Sequence, residues 1–377
     1  MGVMYLAFFD ASVALASLAA LAYFLYTFIQ YRTAEEIAQR TRRRGGKRRA
    51  QMAMQPALAG IGAPVSKLIQ RLSGYVANQS NQMTSTMQRV RQGAVAEKPT
   101  SSATAVPVSM RSEFEVADAN LPITLEAQAF GRMGTILTGL LAFTLAMTMI
   151  MRTLITGHAP WTNMYEASIA LAEFLTLAYI YFEMRYHTRT LGLGASVMAV
   201  VLMGSAVWVG AAFNQAEPVA FQKIMPALQD NPILTIHVSM MIVSYAFFIV
   251  GFFCGVIMLV QGTSGVARFS WLPTSEAADE LGYRSVTIGF PVLAFGVILG
   301  AWWANYAWGH YWSWDPKETS ALVTWLVYAI YLHARGLRGM RGKWMAWLLI
   351  AGFAATLFTY FGVSFIVPGL HSYAGVK

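Results

Sequence analysis

The chain is poor in several things. It has one cysteine in 377 residues, Cys254, inside an apolar run. An intrachain disulfide and a CxxC thiol-exchange site are therefore both excluded, and Cys254 reads as a small buried apolar residue. Charged residues make up only 12%, against about 25% in a typical soluble domain. Glycine-rich phosphate loops, dinucleotide-binding fingerprints and internal repeats are absent from the sequence, which removes nucleotide-binding α/β enzymes and repeat solenoids from consideration.

Apolar residues are abundant, at 56%. Several runs reach the roughly 20 residues needed to cross a bilayer as a helix. In lipid the backbone must satisfy its own hydrogen bonds, so such runs are helical. The expectation is an all-α, polytopic helical membrane protein with about eight transmembrane helices, at 5–30, 134–152, 166–184, 191–212, 235–261, 288–304, 319–335 and 345–366. The first run is long, its charges follow it, and no small-x-small cleavage pattern ends it. It reads as a retained anchor over 1–30 and not as a cleaved signal.

The net charge of +9 is a matter of topology before anything else. Its densest part, Arg42-Arg43-Arg44 with Lys47-Arg48-Arg49, follows the first span directly. That position marks a cytoplasmic segment and suits contact with anionic lipid; a nucleic-acid partner is not expected. With alternating spans and both termini outside, Lys223, Lys317, Lys377 and the boundary residue Arg152 alone fall on the outer side, and 23 of the 27 basic residues stay inside. Residues 31–133 read as a cytoplasmic, largely disordered insert, rich in Gln, Ser, Thr, Arg and Ala, with an amphipathic helix near 51–76. Residues 134–377 form the membrane domain.

Five of the eleven tryptophans fall within residues 302–318, WWANYAWGHYWSWDPKE. Rings at that density either wall a site for a large planar ligand or mark the water–lipid boundary. The topology places this segment outside, together with His237 at the start of span 5 and His371 after span 8. Two imidazoles above and below an aromatic face match the needs of a haem iron. The competing reading is two interfacial histidines bonded to loop carbonyls. His333 lies about 14 residues into span 7, roughly 21 Å deep, too far to share an iron with that pair. It either snorkels beside Arg335 or ligates a second, inner haem. His158, in the outer loop, could line the pocket but is expected rather to make a loop hydrogen bond, His187 to mark the inner boundary, and His310 to be the substitute for a failing outer ligand.

Asp315-Pro316-Lys317-Glu318 follows the grammar of a helix start: Asp as N-cap, Pro first, Glu closing a capping box. Asn163-Met164-Tyr165-Glu166 does the same for span 3.

Residues 302–335, with GHAPWTNMYEAS at 157–168 and LTIHVSMMIVSYA at 234–246, resemble the CcsA/ResC family of cytochrome c biogenesis, System II haem-handling proteins with a tryptophan-rich WWD domain. The resemblance covers spans 2 to 8. It implies that His237 and His371 are axial ligands of an outward-facing haem b, and that His333 ligates an entering one. It implies that Trp308, Trp312, Trp314 and Asp315, with Trp303 beside them, form the WWD site. It implies a haem-handling subunit of a cytochrome c synthase (haem lyase) complex, which relays haem across the membrane and presents it to the CxxCH thiols of apocytochrome c. The implied partners are a CcsB/ResB-type membrane subunit, which would complete the inner site, apocytochrome c, and thiol-reducing proteins. The implied location is the bacterial inner (cytoplasmic) membrane or the plastid thylakoid membrane. The rival readings are a CcmC/CcmF-like carrier that passes haem to a separate chaperone, and a non-haem transporter with a structural aromatic belt. No general base is expected.

Overall fold

The computed structural model describes residues 2–58, 124–213, 232–262, 268–269, 271–367 and 369, with side chains in the first helix described as far as residue 40. All regular structure among them is helical: α1 Gly2–Leu58, α2 Leu125–Thr156, α3 Met164–Tyr186, α4 Thr190–Phe213, α5 Pro232–Gln261, α6 Ser275–Trp308, α7 Pro316–Leu332, α8 Lys343–Leu357 and α9 Val363–Ile366. π-helical turns at His333–Leu337 and Phe358–Gly362 prolong α7 and join α8 to α9. The protein is an all-α polytopic membrane protein. Among the described residues, seven stretches are long and apolar enough to cross a bilayer, with α8 to α9 counted as one. The expected span at 319–335 is α7, 17 residues long, which reaches Leu337 through its π turn.

The chain divides into two compact units. One comprises Met1–Thr33 and Arg111–Lys377, the other Ala34–Met110. In the second, the described part is the continuation of α1 to Leu58. The basic run at 42–49 is thus helical backbone, and the rest of the expected insert to residue 123 lies outside the described residues, as does His371.

Several helices start before their apolar spans. Thr124 caps α2 and Thr274 caps α6, each hydroxyl accepting a backbone N–H three residues on. These polar first turns are helical because they are capped, and hydropathy alone does not register them.

Two small-residue devices bring the helices together. Tyr23, toward the end of α1's buried stripe (Tyr5, Phe9, Ser12, Ala16, Ala19, Tyr23, Tyr26), presses on Gly134 of α2 and Gly192 of α4. A β-carbon at either glycine would lie 2.7 Å from its ring. Its hydroxyl bonds Glu183 Oε2 at 3.1 Å, and Tyr179 donates to it at 2.9 Å. On α6, glycines recur every seven residues at 282, 289 and 296, facing Leu349 and Cys254, Phe248, and Met241 respectively. Lipid tails are as apolar as leucine, so close backbone approach and dispersion drive such contacts. The glycine stripe sets α6 directly against α5 and leads to the site at its end.

Candidate functional site

α5 begins and α6 ends at the same end of the bundle, and a cavity of about 740 Å³ lies there. That volume suits a sizeable small-molecule ligand, for which about 300–1,000 Å³ is usual. Its walls come from the loop 157–163 between α2 and α3, the first turns of α5, the end of α6, the connection into α7, and residues Thr359–Ser364.

His237 lines the cavity from α5. Its Nδ1 lies 2.6 Å from the carbonyl oxygen of Gly296 on α6. A carbonyl only accepts, so Nδ1 carries the proton and the basic lone pair is on Nε2. Backbone carbonyls fix metal-binding imidazoles in this way, setting tautomer and ring orientation together. The arrangement depends on Gly300, one turn beyond Gly296, whose missing side chain leaves room for the ring.

The tryptophans divide into distinct roles. Trp303 and Trp312 line the cavity, and Trp161 joins them from the loop 157–163. Trp303 is 1% exposed and is backed by Trp308, ring centroids 4.8 Å apart at 71°. Trp312 meets Trp314 at 5.8 Å and 88°. Trp314 itself is turned outward, 68% exposed, with φ of +59°, a conformation that bulky residues rarely adopt. The segment is two perpendicular pairs with one member of each facing the cavity, and not one continuous shelf.

Asp315 does what its neighbours predicted. It is buried, its Oδ2 accepts from Lys317 N at 3.0 Å, and Glu318 Oε2 reaches back to Asp315 N at 3.2 Å. Glu318 also holds Ser313, through N at 2.8 Å and Oγ at 3.1 Å. The capping box therefore folds the aromatic turn onto the start of α7. Asn163 caps α3 as expected, accepting from Glu166 N at 2.9 Å.

His310, expected as the reserve ligand, is exposed and is not among the described residues that line the cavity. The histidine that shares the cavity with His237 is His158. Its Nδ1 makes the expected loop bonds, to Ala159 O at 3.0 Å and Thr162 Oγ1 at 2.9 Å. The loop is tied down by Glu166, which takes Thr162 N on Oε2 and Arg152 Nε on Oε1, both at 2.9 Å. Arg152 also lies over the rings of Tyr5 and Tyr165, at 5.7 and 5.5 Å, and those two hydroxyls are bonded to each other. The Arg152–Glu166 pair was missed because each residue, read alone, belongs to a span boundary or a cap. Their 14-residue separation across a tight loop was the available signal.

His333 is far along α7, at the start of its π turn, and exposed. No cluster of three or more His, Cys, Asp or Glu that could hold a metal occurs among the described residues.

Comparison with known proteins adds a family. The model described as "Cytochrome C assembly protein" matches residues 161–371, which takes in the end of the cavity loop from Trp161, the glycine stripe and the aromatic segment. The chain is 35% identical over 285 residues to the cytochrome c biogenesis protein CcsA of Pyropia yezoensis, covering 64% of this chain and 87% of that one. It is 36% identical over 287 residues to CcsA of Prochlorococcus marinus subsp. pastoris, covering 68% and 89%. A solved structure of the cytochrome c heme lyase CcmF aligns with a TM-score of 0.43 at 18% identity, over 71% of this chain and 48% of that one. With more than half its length matched by the family model, and both relatives aligned over most of their own length, the chain belongs to the CcsA family of cytochrome c assembly proteins.

Proposed function

We propose that this chain is the haem-handling subunit of a cytochrome c synthase. In this reading it relays haem b across the membrane and holds it in the outer cavity for attachment to the CxxCH thiols of apocytochrome c. The observation that carries the reading is His237, an imidazole at the wall of a tryptophan-lined cavity with its Nδ1 proton committed to Gly296 O. Nε2 is then the nitrogen with which it would bind iron. The donor set suits haem in a second way: the buried indole Nε1 of Trp161, at the cavity wall, has no partner among the described residues.

Haem supplies the reactive vinyl groups, across each of which a cysteine S–H adds without net oxidation or reduction. The chain's part is positioning. Trp303 and Trp312 would pack on the porphyrin, the capping box at Asp315 would keep that turn in place, and His371 would supply a second imidazole to the iron. His333, exposed on α7, would serve an entering haem together with a ligand from a CcsB/ResB-type subunit. The charge distribution supports external placement of residues 302–318 and of both termini. By family the location is a bacterial cytoplasmic membrane or a thylakoid membrane.

The test is the haem spectrum and holocytochrome yield of His237→Gly, with and without added imidazole. Loss of both, with partial return on adding imidazole, is expected. Wild-type haem content and yield in that variant would overturn the reading. Co-purification separates it from the carrier alternative: a CcsB/ResB-type subunit supports a synthase, a small haem chaperone supports a carrier.

A further inference from the structure

One group in the cavity is used neither for iron ligation nor for ring packing: the ammonium of Lys317. Among the described residues lining the cavity it is the only lysine or arginine. It stands in the first turn of α7, where the helix dipole opposes a cation. Its Nζ donates to Ser364 Oγ at 3.1 Å. Ser364 gives its own proton to Tyr360 O at 2.7 Å, so toward the lysine this hydroxyl acts as an acceptor.

Neither neighbouring carboxylate bonds the Lys317 ammonium, although Asp315 attracts it from a distance. Asp315 accepts the Lys317 backbone N–H, not its ammonium. Glu318 is engaged by Ser313 and Asp315. No ion pair among the described residues includes Lys317. The result is a half-buried ammonium, steadied from one side by a neutral hydroxyl, with two further N–H donors. A sequestered ammonium with no carboxylate bonded to it is under-compensated. A ligand that brings a carboxylate into the cavity removes that penalty.

We propose that Lys317 recognises a carboxylate of the ligand in this cavity; on the haem reading above, which this inference rests on, the carboxylate is a haem propionate. Haem carries its two propionates on one edge and its vinyl groups elsewhere on the ring. About an axis through the iron and His237, the macrocycle has several similar rotations. A single cation on one wall selects the rotation that brings a propionate to α7, and so fixes where the vinyl groups lie. Lys317 is then a positioning residue for the attachment step.

The experiment uses the full chain purified from the membrane, titrated with haem and with haem dimethyl ester, whose propionates are neutral esters with the iron unchanged. Binding is read from the Soret band. Wild-type protein is expected to favour haem over the diester by roughly tenfold or more, as for a charge-assisted hydrogen bond. Lys317→Met is expected to lose that factor for haem and to bind the diester as wild type does, while Lys317→Arg keeps the preference. Equal wild-type affinity for both ligands overturns the role of Lys317 and leaves the haem reading intact. Equal loss for both ligands in Lys317→Met also overturns it, since that is a structural effect. If wild type binds neither ligand, the haem reading fails and takes this inference with it. The wild-type comparison needs no substitution, so a variant that fails to fold does not spare the proposal.

Discussion

The imidazole of His237 occupies the space that a side chain at Gly300 would need. A β-carbon there would lie 2.5 Å from Cε1 and 2.8 Å from Nδ1. Gly300→Ala must therefore displace the ring and break its 2.6 Å bond to Gly296 O. Helix propensity favours alanine over glycine by about 1 kcal/mol, so a loss cannot be charged to a weaker helix. Gly204→Ala is the control, since nothing lies within 4 Å of its β-carbon position. Gly300→Ala is expected to lower haem retained per chain by roughly tenfold or more, the scale for a lost oriented ligand, and Gly204→Ala to leave it unchanged. Equal Soret absorbance in the two variants would remove His237 from the ligand set.

Asp315 acts first as a helix cap, and that role is separable from its charge. Asparagine caps as well as aspartate does, whereas alanine at an N-cap costs about 1 kcal/mol. Asp315→Asn should unfold at the wild-type temperature and Asp315→Ala lower. Gly369 shares this cap: a β-carbon there would meet Asp315 Oδ1 at 2.6 Å. Gly369→Ala therefore pushes the chain off the cap two residues before His371. Haem retention is expected to fall in Gly369→Ala and to hold in Asp315→Asn; retention unchanged in both would separate this contact from the site.

The helical spans, the two caps and the aromatic segment were legible because each rests on local chemistry: an apolar run, a capping residue, a dense set of rings. The packing was not legible, for a reason specific to lipid. Leu141 is 1% exposed and Phe143 is 56% exposed on the same helix, yet both are apolar. Hydropathy does not tell a residue facing protein from one facing lipid, and the amphipathic signal that orients a soluble helix is lost. The signal that survives is size. Gly282, Gly289 and Gly296 recur every seven residues along α6, and that spacing marks the face turned to α5. For the site, the sequence singled out His237 and the tryptophan segment, with His310 in reserve and His158 as a loop histidine; of these, His237, His158, Trp303 and Trp312 line the cavity. Nothing local to His158 or His310 reveals which loop folds over the cavity.

Glu166 offers a test of that loop. Both its oxygens accept, from Arg152 Nε and Thr162 N, and Arg152 is 4% exposed. Glutamine is the same shape but brings one acceptor and one donor, so one of the two N–H groups must face another donor. The arginine also loses its counter-charge. Breaking a buried pair from one side costs about 3–5 kcal/mol. Glu166→Gln should therefore lower the thermal unfolding midpoint strongly, and the double variant Arg152→Met/Glu166→Gln should lose much less than the sum of Arg152→Met and Glu166→Gln. Additive losses in that cycle would show that the two residues do not act as a pair.

His333 and Arg335 stand two residues apart in the same π turn, and opposite consequences of substitution are expected for them. Arg335 is 7% exposed, donates to Asp279 Oδ2 at 2.8 Å and Glu280 Oε2 at 3.3 Å, and lies 5.1 Å from the ring centre of Tyr283. Arg335→Met leaves Asp279 buried without its main counter-charge, at a cost of about 3–5 kcal/mol. The His333 side chain is exposed and makes no hydrogen bond among the described residues, and an exposed substitution of that kind changes stability by less than about 0.5 kcal/mol. His333→Ala should thus unfold with the wild type while Arg335→Met unfolds well below it. Haem lost from His333→Ala at unchanged stability would then mark a missing ligand, whereas the same loss in Arg335→Met would follow from the fold. A His333→Ala variant that unfolds as early as Arg335→Met would instead make His333 part of the ion-paired structure around Asp279.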